Sequence, residues 1–189
     1  LKEAKKHNIN IDFKVANYLT NHAGTELWKI AQELDKLKVY AQNDKITETM
    51  INELVTPSLS ASIFKLTDAI SEKNASESIK ILRNLKDSGE DLIKVFFMIV
   101  RHFRILIQVH DMLSNNETSQ SIQKRLNQHP FVVQKTSSQS RNFDSEKLRK
   151  IYQNLLDIDR KTKTGSIKNY QGDDREFQLA IEKLIINCC

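Results

Sequence analysis

Apolar residues recur at intervals of three and four along most of the chain, which is the period of an amphipathic α-helix. The clearest stripe consists of Leu27, Ile30, Ala31, Leu34, Leu37 and Ala41. A longer segment, residues 90–113, is apolar nearly all round, and its narrow polar stripe consists of Lys94, Arg101, Arg104, Gln108 and Asp111. A helix with so little polar surface is expected at the centre of a bundle. Since no segment has a convincing strand pattern, the sequence predicts an all-α fold.

The best candidate for a domain boundary is the segment 56–60, which contains Pro57. Proline lacks the amide hydrogen that a helix interior needs, and it disfavours helix at the preceding residue. Before it we expect a small three-helix unit, with Asp12 or Asn10 capping the first helix and Thr47 capping the third. After it we expect a larger bundle. The predicted domains are residues 1–57 and 58–189.

The composition and charge fit this architecture. Only four glycines and two prolines occur among 189 residues, whereas a β-sandwich would need turn residues at short intervals. Charged residues make up 28% of the chain and are mixed in sign, as in a folded globular protein. The net charge of +5 permits contact with nucleic acid but does not require it.

The cysteines and the first residues of the chain bear on the cellular compartment of the protein. Cys188 and Cys189 are adjacent and cannot staple distant elements, so we expect a reduced, cytoplasmic protein. The first residues do not form a basic segment followed by an apolar one, which a secretory leader would have. The longest apolar run, residues 95–100, is too short to span a bilayer, so we expect no membrane contact. Because the first residue, Leu1, lies in a helical pattern, we expect the C-terminal part of a longer protein.

The sequence lacks a constellation typical of an enzyme. Glycines at 24, 89, 165 and 172 are too scattered for a phosphate-binding loop. His102 and His110 share a helix without a carboxylate at ligand spacing from both, so we interpret the first as an edge residue of the polar stripe and the second as a surface residue. Asp157 and Asp159 face different ways on a helix. We predict no catalytic residue, no metal site and no cofactor.

One segment carries a nucleic-acid signal: the basic loop 160–172, bordered by glycines and containing one aromatic residue, Tyr170. Cations attract phosphates, and an exposed aromatic ring can stack on a base without reading its identity. The candidate DNA contacts are therefore Lys161, Lys163, Lys168 and Tyr170. The alternative is an ordinary solvated loop in which Tyr170 packs back on the bundle.

Arg101 and Arg104 on the long helix also allow two interpretations. An unpaired guanidinium on a nearly buried helix is costly, so each side chain needs a partner. We favour pairing with acidic neighbours in the same chain. The other interpretation is contact with a neighbouring subunit.

Segments along nearly the whole chain resemble, in order, the delta subunit family of the bacterial DNA polymerase III clamp loader. They are residues 24–27 leading into 33–37 (ELDKL), 64–70 (FKLTDAI), 101–106 (RHFRIL), 129–133 (HPFVV), and Asp159 with 163–165 (KTG). The resemblance implies that residues 1–57 are the helical lid of an AAA+-like module. It also implies that residues 58–189 are a collar domain and that the N-terminal AAA+-like domain is absent from this sequence.

The resemblance implies a non-catalytic scaffold. In this family the collar joins the other loader subunits into a hetero-pentamer, the N-terminal domain engages and opens the sliding clamp, and the assembled loader places the clamp on primed DNA. Nucleotide-sensing lids carry an arginine in the turn after Gly24, where this chain has residues 26–28 (ELW). That difference fits an ATP-independent subunit and counts against the ATP-hydrolysing subunit of the same loader. A stand-alone helical nucleic-acid-binding regulator is the alternative from another class.

Overall fold

The fold was analysed in a computed structural model, which describes residues 4, 9–24, 26–42, 44–170 and 173–189. Within these ranges every regular element is an α-helix, apart from one isolated antiparallel bridge between Tyr170 and Asp173. The predicted all-α fold is confirmed. None of the helices in the described ranges combines the length and the apolarity that crossing a lipid bilayer requires.

The chain divides into two compact units, Leu1–Ser62 and Ile63–Cys189. The helices of the first unit are α1 Phe13–Ala23, α2 Leu27–Tyr40 and α3 Glu48–Leu54. The later helices are α4 Leu59–Ser71, α5 Ala75–Asp87, α6 Leu92–Ser114, α7 Ser119–Leu126, α8 Pro130–Ser140, α9 Ser145–Lys163 and α10 Arg175–Cys188. The division falls inside α4, between residues 62 and 63, whereas the sequence placed it between 57 and 58. The assignment of lid and collar stays a prediction.

The first unit closes around one apolar cluster that draws on α1, α2 and α3. Its large buried side chains include Leu19, Leu34, Leu37, Ile46, Ile51 and Val55. As predicted, Thr47 caps α3, since its hydroxyl oxygen accepts the Met50 amide hydrogen at 3.3 Å. Asp12 precedes α1 but makes no capping hydrogen bond; its carboxylate pairs with Lys45 at 2.6 Å instead.

The second unit is built around α6, as its apolar sequence predicts. This helix packs against α7, α8, α9 and α10. Its buried residues are Leu92, Val95, Phe96, Ile99, His102, Phe103, Ile105, Leu106 and Val109. Gly89 lies between α5 and α6 with a φ of +86°, a left-handed conformation that costs little only for glycine. The helix that carries the candidate arginines is thus packed against four helices along its inner side.

Two adjacent leucines on α9 differ in burial. Leu155 is buried, whereas Leu156 is 51% exposed. Adjacent residues lie about 100° apart on a helix, so only one of the two can point into a narrow core. The core instead takes Ile158, three positions after Leu155.

A buried polar cluster joins α4, α6 and α8. His102 donates through Nε2 to the side-chain oxygen of Gln139 at 2.7 Å. The Gln139 amide nitrogen donates to the Asp68 carboxylate at 2.7 Å and to the Thr67 hydroxyl at 3.1 Å, which fixes the orientation of the amide. Lys135 pairs with the other Asp68 oxygen at 2.5 Å. The prediction that His102 lies at the edge of the polar stripe was wrong, because this side chain is buried in the core.

We predict that His102 makes stability depend on pH. Burial lowers the pKa of His102 to about 4, although the hydrogen bond to Gln139 acts in the opposite direction. Because the imidazole of an unfolded chain has a pKa of about 6.5, the unfolded state binds more protons between these two values. The free energy of unfolding should therefore fall by about 3 kcal/mol from this group as the pH falls through that window.

Urea denaturation at pH 7 and at pH 4 measures this contribution. His102→Gln should reduce the pH dependence, whereas the matched control His110→Gln, on the same helix but partly exposed, should retain it. An unchanged pH dependence in the His102→Gln variant would contradict the prediction.

Candidate nucleic-acid and subunit interfaces

The predicted basic loop leaves α9 through a left-handed turn at Gly165, whose φ is +75°. An added Cβ would meet no atom within 4 Å, so the backbone conformation rather than lack of space favours glycine. The Ile167 amide donates to the Lys161 carbonyl at 3.0 Å, which folds the chain back over the end of the helix. The Lys168 amide donates to the Glu176 carboxylate at 2.9 Å. The loop is thus fastened to both α9 and α10.

Tyr170 projects from this loop, with 64% of its surface exposed. Its backbone pairs in both directions with that of Asp173, at 3.1 and 3.0 Å. The exposed ring does not pack back on the bundle as the alternative expected, while the DNA contact itself stays a prediction. The last residues of the predicted loop, 171–172, lie outside the described residues.

The three candidate lysines differ in their surroundings. Lys161 and Lys168 are exposed. Lys163 is exposed as well, but its ammonium pairs with Asp159 at 2.8 Å and lies 5.9 Å from the ring centroid of Phe97. Part of the charge of Lys163 is therefore compensated within the chain.

Acidic side chains also border the loop. The Arg175 guanidinium donates to both oxygens of Asp173, at 2.8 and 2.9 Å, and these hydrogen bonds lower the pKa of Asp173 to about 2. Asp173 therefore stays ionised at neutral pH, and its carboxylate, together with that of Glu176, offsets part of the basic charge. The loop therefore offers an exposed aromatic ring with dispersed cations, not a concentrated phosphate site.

Arg101 and Arg104 lie on the outer side of α6. Both side chains are exposed, and within the described ranges neither guanidinium forms an ion pair with a carboxylate. Pairing with acidic neighbours of the same chain, the favoured interpretation, is therefore not found among the described residues. Both arginines lie on the solvent side of α6, where they remain hydrated, and their role stays a prediction.

The first turn of α2 presents no arginine, and its one cation, Lys29, is half-buried. The side chains of Glu26, Leu27 and Trp28 are exposed, and Trp28 has 64% of its surface accessible. The neighbouring Thr25 lies outside the described residues. A carboxylate and an indole ring cannot bind a phosphate group as a guanidinium does.

The cysteine tail and the histidines supply little chemistry. Burial raises the pKa of Cys188 to about 12, and burial also raises the pKa of Cys189, so both thiols stay protonated at neutral pH. In the part of the chain that the structure describes, His, Cys, Asp and Glu residues do not gather into a group of three or more that could hold a metal ion.

Comparisons with known proteins place this helical fold in a family. The family model for the DNA polymerase III delta subunit, C-terminal domain, matches residues 60–185. The chain is 31% identical over 184 residues to DNA polymerase III subunit delta of Bacillus subtilis strain 168, and this match covers 97% of the chain and 51% of the relative. A solved structure of the Bacillus subtilis DNA clamp loader delta protein matches with a TM-score of 0.78 and 27% identity, covering 97% of this chain and 53% of that one.

The matched region defines an all-helical C-terminal portion of a replication protein, and the chain spans about half the length of these relatives. The chain belongs to the DNA polymerase III delta subunit family. The family resemblance read from its sequence is thereby confirmed.

We predict that the exposed candidate residues can be changed without harm to the fold. Tyr170→Ala, Arg101→Glu and Arg104→Glu should each leave the free energy of unfolding within about 0.5 kcal/mol of the parent value. Gln139→Ala is the contrasting variant, since it leaves buried partners unpaired and should cost about 2 kcal/mol. Urea denaturation at pH 7 measures all four variants, and a large loss for the surface changes would contradict the exposed placement.

Proposed function

We propose that this chain is the non-catalytic scaffold part of a clamp-loader delta subunit. Residues 1–57 act as the helical lid of an AAA+-like module, and residues 58–189 act as the collar that joins the other loader subunits. The observation that carries the proposal is the similarity, along nearly the whole chain, to a solved clamp loader delta protein. The family-model match, which lies within the predicted collar, supports the same assignment.

The lid takes no direct part in ATP hydrolysis in this proposal. Residues 26–28 lack the arginine that nucleotide-sensing lids carry at this turn, where it would stabilise charge on a transferred phosphoryl group. The nucleotide chemistry therefore belongs to partner subunits, and this chain needs no cofactor. The N-terminal AAA+-like domain of the complete subunit engages and opens the sliding clamp.

The collar supplies the contacts that hold the pentamer together. Arg101 and Arg104 contact a neighbouring subunit, where a partner carboxylate can pair with each guanidinium. Their exposure and the absence of an ion pair to either within the described residues support this role.

Assembly is the first test of the scaffold proposal. We expect this chain to form a stable complex with the collar region of the ATP-hydrolysing loader subunit from the same organism. Light scattering after gel filtration would give the mass of the complex. Persistent separation of the two proteins at micromolar concentration, together with strongly salt-dependent DNA binding by the chain alone, would favour the stand-alone regulator instead.

Contact with primed DNA is the second part of the proposal. In the assembled loader, Tyr170 stacks on a base near the primer–template junction, while Lys161, Lys163 and Lys168 lie close to phosphates. The exposed Tyr170 ring supports this geometry, and so do the hydrogen bonds that fasten its loop to α9 and α10. The contact does not read the sequence, because every base has a stacking face.

We predict that Tyr170→Ala weakens binding of primed DNA by the assembled loader about ten-fold, as expected for the loss of one stacked base. Tyr170→Phe is the matched control and should retain most of the affinity, since the ring is preserved. Lys168→Ala should instead reduce the slope of log affinity against log salt by about one. Unchanged affinity and loading rate in Tyr170→Ala would contradict the stacking role.

A further inference from the structure

Helices α6 and α9 run antiparallel with their outer sides adjoining. Near one end, the Lys163 ammonium lies 5.9 Å from the ring centroid of Phe97. Near the other end, His110 Nε2 lies 3.0 Å from the Ser145 hydroxyl oxygen. The end of α9 thus lies beside the first half of α6, and the start of α9 lies beside its second half.

Exposed residues on the two helices form stripes that meet where the Lys163 ammonium lies over the Phe97 ring. On α6 the exposed positions 93, 97, 101 and 104 follow at steps of four, four and three, which keeps them on one side of the helix. On α9 the exposed positions 156, 160 and 163 do the same. We call their joint surface the α6–α9 face and define it by Ile93, Phe97, Arg101, Arg104, Leu156 and Arg160.

The apolar members of this face are large and accessible. Ile93, Phe97 and Leu156 are 40%, 47% and 51% exposed. A single exposed apolar residue is ordinary, but three on adjoining helices, interleaved with arginines, resemble the apolar centre and polar rim of a protein interface. Arginine and aromatic residues are also the types that interfaces favour.

The charge on this face is unbalanced. Within the described residues, Arg101, Arg104 and Arg160 form no ion pair with a carboxylate. Asp159, which lies beside this face, already pairs with Lys163 at 2.8 Å. The face therefore presents three guanidiniums that are open to carboxylates from another molecule.

We propose that the α6–α9 face binds an acidic amphipathic helix of another clamp-loader subunit. The apolar stripe of that helix packs on Phe97 and Leu156, and its flanking Asp or Glu residues form bidentate pairs with the arginines. This inference rests on the proposed scaffold function and gives its collar contact a defined chemistry.

Other occupants match the face less well. A second copy of this chain would bring the same three arginines and a further net charge of +5 against the face, which is repulsive. Nucleic acid would satisfy the arginines but would place Ile93 and Leu156 against hydrated phosphates. A protein helix with an apolar stripe satisfies both parts of the face.

A peptide probe tests the chemistry directly. The probe is a fluorescein-labelled helix of about 14 residues, roughly 21 Å long, with a leucine stripe flanked by glutamates. One comparison peptide has the same residues scrambled so that no apolar stripe forms, and the other has lysine in place of each glutamate. Fluorescence anisotropy with the 189-residue chain should give about ten-fold tighter binding for the acidic amphipathic peptide than for either comparison. Equal binding of the scrambled peptide would overturn the proposal.

Two sets of substitutions locate the binding site. Phe97→Ala with Leu156→Ala, and separately Arg101→Glu with Arg104→Glu, should each weaken binding of the acidic peptide about ten-fold or more. The matched control is Leu179→Ala with Ile186→Ala, which removes exposed apolar side chains of α10 outside the face and should change nothing. Circular dichroism would verify that each variant stays folded. Full affinity in both face variants would overturn the proposal.

The peptide experiment and the assembly experiment fail separately, because the first needs no other loader subunit. Assembly without specific peptide binding would overturn the inference and leave the scaffold function standing. Specific peptide binding without assembly would overturn the scaffold function, and with it the assignment of the partner to the clamp loader, while the chemistry of the face would stand. Displacement of the peptide by primed DNA, through the same arginines, would mean that nucleic acid occupies the face and would also overturn the inference.

Discussion

The arrangement of helices in the second unit depends on the hydrogen bonds of the Gln139 side chain. Its amide joins His102 of α6 to Asp68 and Thr67 of α4, while Gln139 itself belongs to α8. A buried polar group without a partner costs about 1–3 kcal/mol, so this cluster is stabilising only when the three helices stand in one arrangement. It therefore fixes the position and rotation of α6, which apolar packing alone would specify less sharply. Because these bonds lie within the chain, we interpret the cluster as structural.

The rotation of α6 in turn decides which residues face outward. When Ile99, His102 and Leu106 point into the bundle, helical geometry turns Phe97 and Arg104 to the opposite side. The exposed aromatic ring and arginines are thus a consequence of burying the inner side. A binding surface on such a helix is held rigidly, which lowers the entropy lost when a partner docks.

Local chemistry made much of the fold predictable from the sequence. The cap at Thr47 and the left-handed turn at Gly89 depend on neighbours within a few residues, and both are present. The errors share another cause, since His102 is satisfied by Gln139, 37 positions away. The helical period gives the spacing of a stripe but not its rotation against partners, so it does not show that Leu156 stays exposed beside the buried Leu155. The candidate loop was predicted from its residue types. Its acidic border is instead formed by α10 and by the short segment that leads into this helix.

The two candidate surfaces differ in how strongly their geometry supports binding. Around Tyr170 the cations are dispersed, and Asp173 and Glu176 lie at the border of the loop. On the α6–α9 face, no carboxylate among the described residues pairs with the arginines, which lie among accessible apolar side chains. Desolvating an arginine is favourable only when a carboxylate replaces its water, and a neighbouring apolar contact supplies the water exclusion that strengthens that pair. Contact with another protein is therefore the better supported of the two roles. The proposed DNA contact would depend more on the geometry that an assembled loader imposes on the loop.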